Sequence, residues 1–98
     1  MLLRRGAARR REFPGVEIRD PVLIEDGVTI ERSVIGPNVT VERGSTIADS
    51  EIAHTIIGQS CHLTGVHLHQ SMLGNHVTLR DFRGTASLGD HSELVGSA

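Results

Sequence analysis

The sequence predicts an all-β solenoid of about five three-sided coils, preceded by a short basic helix, and three columns of aliphatic residues carry that prediction. Ile24, Val41, Ile57, Leu73 and Leu88 recur at intervals of 17, 16, 16 and 15 residues, and Ile30, Ile47, Leu63, Leu79 and Leu94 keep the same intervals. Ile18, Ile35, Ile52 and Leu68 follow at 17, 17 and 16, and that column would next fall near Gly84. The segment from the first column to the second is always six residues long: IEDGVT, VERGST, IGQSCH, LGNHVT and LGDHSE.

A side of five or six residues holds one short strand and a corner. Stacked coils then set parallel strands about 4.8 Å apart, with each backbone group paired to the coil above or below. Because a coil buries its aliphatic residues only against its neighbours, about three or more repeats are needed for stability, and this chain has nearly five. Val28, Ser45, Cys61, Val77 and Ser92 lie four residues past the first column and read as smaller inward fillers.

The elements follow in order. Residues 1–15 form a basic cap, with Leu2, Leu3, Ala7 and Ala8 as its apolar contacts and Pro14-Gly15 ending it. From Val16 to Ala98 the coils run without a linker, and the one irregularity is LRDFRGTAS, where a column residue becomes Gly84 and the coil shortens. A bend or small loop is expected there.

Composition narrows the function classes. Ninety-eight residues make one domain, and a 38% apolar content with two aromatics, Phe13 and Phe82, suits thin coils better than a bulky core. Burying an aliphatic side chain contributes roughly 1.5–3 kcal/mol, while ordering a residue costs about 1–2 kcal/mol, so oligomerisation is expected to help. The net charge is −2, with ten Arg and no Lys, and five of the Arg precede residue 12. Without interleaved aromatics and with an acidic remainder, that short basic run predicts no nucleic-acid partner. Cys61 is the one cysteine, so no intrachain disulfide forms, and it reads as a packed small residue. No run approaches the roughly 18 apolar residues of a membrane span, and MLLRRGAARRR lacks the apolar stretch of a signal peptide. A cytoplasmic location without membrane contact is expected.

The repeats IEDGVT, IERSVIGPNVTV, ERGSTI and HTIIGQSCHL resemble the hexapeptide repeat of left-handed parallel β-helix proteins. The stretch PGVEIRDPVLIEDGVTIERSVIGPNVTVERGSTIADSEI is most similar to the C-terminal domain of sugar-1-phosphate nucleotidyltransferases of the glucose-1-phosphate thymidylyltransferase-like group, and the resemblance covers residues 14–98. It implies triangular coils and left-handed winding, which departs from the usual right-handed crossover. It also implies that subunits assemble through such domains, commonly as trimers, and that a separate nucleotidyltransferase catalytic domain is a possible partner. The nucleotide-binding machinery of that family is not in this sequence: Gly6 and Gly15 are isolated and open no phosphate loop.

Six histidines remain to be placed. His76 and His91 share one slot, above Ser60, Gly44 and Gly27, about one coil apart. His62 continues an outward column from Thr29 and Thr46 and lies beneath Thr78. His67 falls between Glu51 and Arg83, which predicts a stack of acid, imidazole and guanidinium. His54 and His69 lie on the first side.

Acyltransferases of the resembled fold use one such histidine to deprotonate a substrate, with acyl-coenzyme A between subunits. On that alternative His62, His67 or His69 is the candidate base, although a protruding loop and C-terminal helix usual in those enzymes are not evident here. Gamma-type carbonic anhydrases of the fold hold Zn²⁺ through three histidines across a trimer interface, two of them five residues apart, as His62 and His67 are. Their third ligand comes from about two coils earlier, where this sequence offers none. The expectation is therefore a non-catalytic assembly module, homotrimeric, with no metal or cofactor of its own and with Val39, Ile56 and Met72 on the assembling side.

Overall fold

Among the described residues thirteen short strands, all paired in parallel, stack into three ladders. The computed structural model describes Phe13 and residues 15–96, and no helix occurs among them. The predicted basic helix of the cap lies outside the described residues, whereas Phe13 packs into the core at 5% exposure.

The first ladder runs β1 (Glu17–Ile18), β4 (Val34–Ile35), the start of β7 (Glu51–Ile57), the start of β9 (His67–Leu73) and β11 (Arg83–Gly84). The second runs β2 (Val22–Ile24), β5 (Val39–Val41), the ends of β7 and β9, and β12 (Ser87–Leu88). Because β7 and β9 each serve both ladders, these strands form one eight-stranded sheet. The third ladder is a five-stranded sheet of β3 (Thr29–Glu31), β6 (Thr46–Ala48), β8 (His62–Thr64), β10 (Thr78–Arg80) and β13 (Glu93–Val95). The result is a parallel β-solenoid of about five turns.

The aliphatic columns become the interior. Ile30, Ile47, Leu63 and Leu79 stand in register along the third ladder and are buried, as are Ile35, Ile52 and Leu68 on the first and Ile24, Val41, Ile57 and Leu73 on the second. β-Branched residues suit these short strands because they pack well on a pleated surface. Of the predicted fillers Val28, Ser45, Cys61 and Val77 are buried. Burial pushes the Cys61 thiol pKa up, and its Sγ lies 3.1 Å from the Gly74 carbonyl oxygen. Towards the last coil Phe82, Ala86, Leu88 and Leu94 are only half-buried, and the expected shortening appears in the register, which is offset by 16 residues at His67 and Arg83 but by 15 at Met72 and Ser87.

Corners follow a rule the composition does not announce. Residues with left-handed backbone recur at Gly27, Gly44, Ser60, His76 and His91, at Arg32, Asp49, Gly65 and Asp81, and at Asn38, His54 and Gln70. Each column marks the bend between two ladders. Such a conformation costs a non-glycine residue roughly 1–2 kcal/mol, and here the corner N–H groups compensate by donating to the coil before. His76 donates to the Gln59 carbonyl at 2.8 Å, Asp81 to Thr64 at 3.0 Å and His54 to Pro37 at 2.9 Å.

Buried hydroxyls join coils in the same way. Ser33 Oγ accepts from the Ser50 N–H at 3.1 Å, and Ser50 Oγ in turn accepts from the Val66 N–H at 3.2 Å while donating to the Ala48 carbonyl at 2.7 Å. Ser45 and Ser71 do likewise for Cys61 and Ala86. A buried N–H without a partner would cost about 1–3 kcal/mol, so these hydroxyls are structural. On the surface the Arg32 guanidinium donates to both carboxylate oxygens of Asp49, at 2.7 and 3.1 Å, and holds that carboxyl below its usual pKa.

Gly36 is the tightest corner. Its φ is +109°, and a Cβ there would collide with the Arg19 carbonyl oxygen and reach 2.7 Å from Val22 Cγ2. Gly36→Ala is therefore expected to cost at least about 2 kcal/mol through combined backbone strain and overpacking. Urea denaturation of the two proteins measures it.

Candidate functional site

The parallel register converts a sixteen-residue interval into side-by-side placement, and on the first ladder this brings an acid and an imidazole together. Glu51, at the start of β7, pairs in register with His67, at the start of β9. Their side chains meet at 3.1 Å between Oε1 and Nδ1. Both point outward, because Ile52 and Leu68, the next residues, fill the interior. A carboxylate accepting from Nδ1 favours the tautomer with the proton on that nitrogen and leaves the Nε2 lone pair facing out. The pair is exposed, so its worth lies in orienting the ring more than in stabilising the fold.

Arg83 completes the expected column by register alone. It makes no ion pair or side-chain hydrogen bond among the described residues, so the guanidinium part of the predicted stack is not formed. The ladder spaces the backbones but leaves a long, flexible side chain at the last coil free to point elsewhere.

His67 stands between two clefts. One, of about 230 Å³, is floored by Val34, Gly36, Ala53 and Leu68 and edged by Arg19, Glu51, His67 and His69. Arg19 is tied to Glu17 at 2.6 Å, which raises its pKa further. The other, of about 730 Å³, lies towards the last coil between His67, Phe82, Arg83, Leu94 and Asp81. Small residues at Gly36 and Ala53 keep the first cleft open, and the repeat pattern does not single them out. A signal for them exists all the same, since they occupy one outward column with Arg19 and His69.

The three candidate bases are thus divided. His67 and His69 share the first cleft. His62 sits on the third ladder, in register with Thr46 and Thr78 as expected, around the bend at Gly65. The five-residue spacing that suggests a zinc pair therefore straddles a corner. Among the described residues no group of three or more His, Cys, Asp or Glu is placed to hold a metal ion. His54 meets Asn38, with Nδ1 3.1 Å from Nδ2. His76 and His91 stack with ring centroids 5.0 Å apart and an interplanar angle of 3°.

A second outward feature lies on the second ladder, where Ile56 and Met72 stand in register at 45% and 57% exposure. Val39, expected beside them, is instead buried at 2%. It pairs with Thr55, while Thr40 pairs with Ile56. The coils are offset by 17 residues at Val34 and Glu51 but by 16 at Val39 and Thr55, so one residue is lost at the corner between. A one-residue shift moves a strand residue to the opposite face.

No family model matches the chain, and no curated protein matches it. Solved chains of similar structure include two from Caulobacter crescentus. One is a mutant GDP-perosamine N-acetyl transferase in complex with CoA and GDP-perosamine, with 19% identity, a TM-score of 0.41, and coverage of 96% of this chain and 61% of that one. The other is a second mutant, of perosamine N-acetyltransferase with the same ligands, with 18% identity, a TM-score of 0.40 and the same coverage. The chain thus spans 61% of the length of each. No helix among the described residues is long and apolar enough to cross a membrane.

Proposed function

We propose that this chain is an acyl-transfer domain in which His67, oriented by Glu51, is the general base. The observation that carries the reading is the 3.1 Å contact between His67 Nδ1 and Glu51 Oε1 beside an open cleft. A base needs a free lone pair, a fixed ring and room for the acceptor, and His67 meets the three conditions. Among the described residues His62 has no carboxylate partner, and His69 contributes to the same cleft wall.

In the proposed step His67 Nε2 takes a proton from an acceptor hydroxyl or amine as its oxygen or nitrogen attacks the carbonyl carbon of an acyl-coenzyme A. The carbon–sulfur bond then breaks, the acyl group stays on the acceptor, and the departing thiolate takes the proton from the imidazolium. The sequence resemblance supplies the rest of the reading, left-handed winding with triangular coils and a homotrimer with the thioester between subunits, and the cytoplasmic setting is the expectation drawn from the sequence composition. The test is release of free thiol from acetyl-coenzyme A with a panel of hydroxyl and amine acceptors. Acceptor-dependent release supports the reading, and release no faster than in buffer across the panel counts against it.

A second reading, a non-catalytic assembly domain of a sugar-1-phosphate nucleotidyltransferase, has its own observation. Ile56 and Met72 form an exposed apolar pair beside a cleft of about 580 Å³. On either reading light scattering is expected to give the mass of a trimer. A monomer at micromolar concentration would remove the assembly role.

A further inference from the structure

Two exposed imidazoles, His76 and His91, leave the same left-handed corner on neighbouring coils. We propose that His76 and His91 form a two-nitrogen binding site for a divalent transition-metal ion, a site separate from His67 and independent of the acyl-transfer reading. The rings are stacked face to face, 5.0 Å apart and 3° from parallel. Both residues are exposed.

The backbone beneath them is pinned. His76 N–H donates to the Gln59 carbonyl at 2.8 Å and His91 N–H to the Asn75 carbonyl at 2.9 Å. A side-chain ladder runs alongside, with Asn75 Oδ1 accepting from the Gln59 N–H and Asp90 Oδ1 from the Asn75 N–H, each at 2.8 Å. Both histidines occupy the left-handed corner, at φ 59° and 62°. The corner fixes where each side chain leaves the coil, while rotation about the side-chain bonds remains available to the exposed rings.

The stacked rings direct their in-plane lone pairs side by side, so chelation requires each exposed ring to turn by about 50° towards the other about its side-chain bonds. With metal–nitrogen bonds of about 2.0–2.1 Å and a tetrahedral angle, two ligating nitrogens stand about 3.3 Å apart. That rotation is open to the two rings because both are exposed, and it turns a nitrogen of each towards the point between them. Holding the second imidazole one coil away makes its binding intramolecular, and its high effective concentration strengthens the first contact. Water fills the remaining positions. Imidazole nitrogen selects Ni²⁺, Cu²⁺ or Zn²⁺ over Mg²⁺ or Ca²⁺. The lower members of the column, Ser60, Gly44 and Gly27, add no strong ligand, so the site is confined to the last two coils.

The test titrates Ni²⁺ into the full-length protein by calorimetry and, separately, follows broadening of the histidine ring proton resonances. His76→Asn and His91→Asn are the variants, because asparagine accepts the left-handed corner. One ion per chain is expected, with His76 and His91 broadened first and the affinity lowered at least about fivefold by either substitution, whereas His67→Asn leaves it unchanged. A smaller loss, or all six histidines broadening together in the unsubstituted protein, overturns the proposal. Thiol release from acetyl-coenzyme A in metal-free buffer is expected to be the same for His76→Asn and the unsubstituted chain, so each idea can fail alone.

Discussion

Ile47→Ala is expected to destabilise the domain by about 2–5 kcal/mol, the range for removing a large aliphatic side chain from a rigid interior. Ile47 is completely buried and stands between Ile30 and Leu63 in the third ladder, with coils on both sides. Neighbouring coils cannot collapse into the space, because the backbone bonds on either side set their separation. A domain of this size is stable by only about 5–15 kcal/mol, and a solenoid transmits the loss through nearest-neighbour contacts. The measurement is urea unfolding: the midpoint falls, and an unchanged slope shows that the two halves still unfold together. A midpoint within error of the unsubstituted protein would mean that Ile47 does not line a packed core.

His67→Asn is expected to lower the rate of acyl transfer by about 10²–10⁴-fold, the usual contribution of a general base. Since His67 is exposed and its partner is a surface carboxylate, the thermal midpoint should hardly move. That separation of effects is what identifies a chemical role. Glu51→Gln keeps the imidazole but removes the acceptor that fixes its tautomer, so a smaller fall in kcat with little change in KM is expected. Thiol release from acetyl-coenzyme A measures both. If His67→Asn retains the full rate while His69→Asn does not, the base is the other histidine of the cleft.

The Glu51–His67 contact is legible in the amino-acid sequence, because both residues lie one place before a buried column member and register follows once the columns are recognised. Arg83 shows where that reasoning ends. Register sets the spacing of Cα atoms, but it does not choose a rotamer for a long side chain at the less enclosed end of the solenoid. The error at Val39 has a different origin. Its spacing from Ile56 matches the 17-residue interval found elsewhere, yet the corner between the first and second ladders drops one residue on going from that coil to the next. Period alone does not say at which corner a residue disappears.

The sequence by itself determined the parallel solenoid, its aliphatic interior and the small fillers, since burial of recurring apolar residues is non-directional and depends mainly on their spacing. Only the tertiary structure decided which polar residues meet. The left-handed corners, the hydroxyls linking coils, the cleft beside His67 and the stacked pair at His76 and His91 depend on hydrogen-bond direction and on side-chain exit angles. Those respond to small differences in atomic position and angle between coils, which a one-dimensional repeat does not encode.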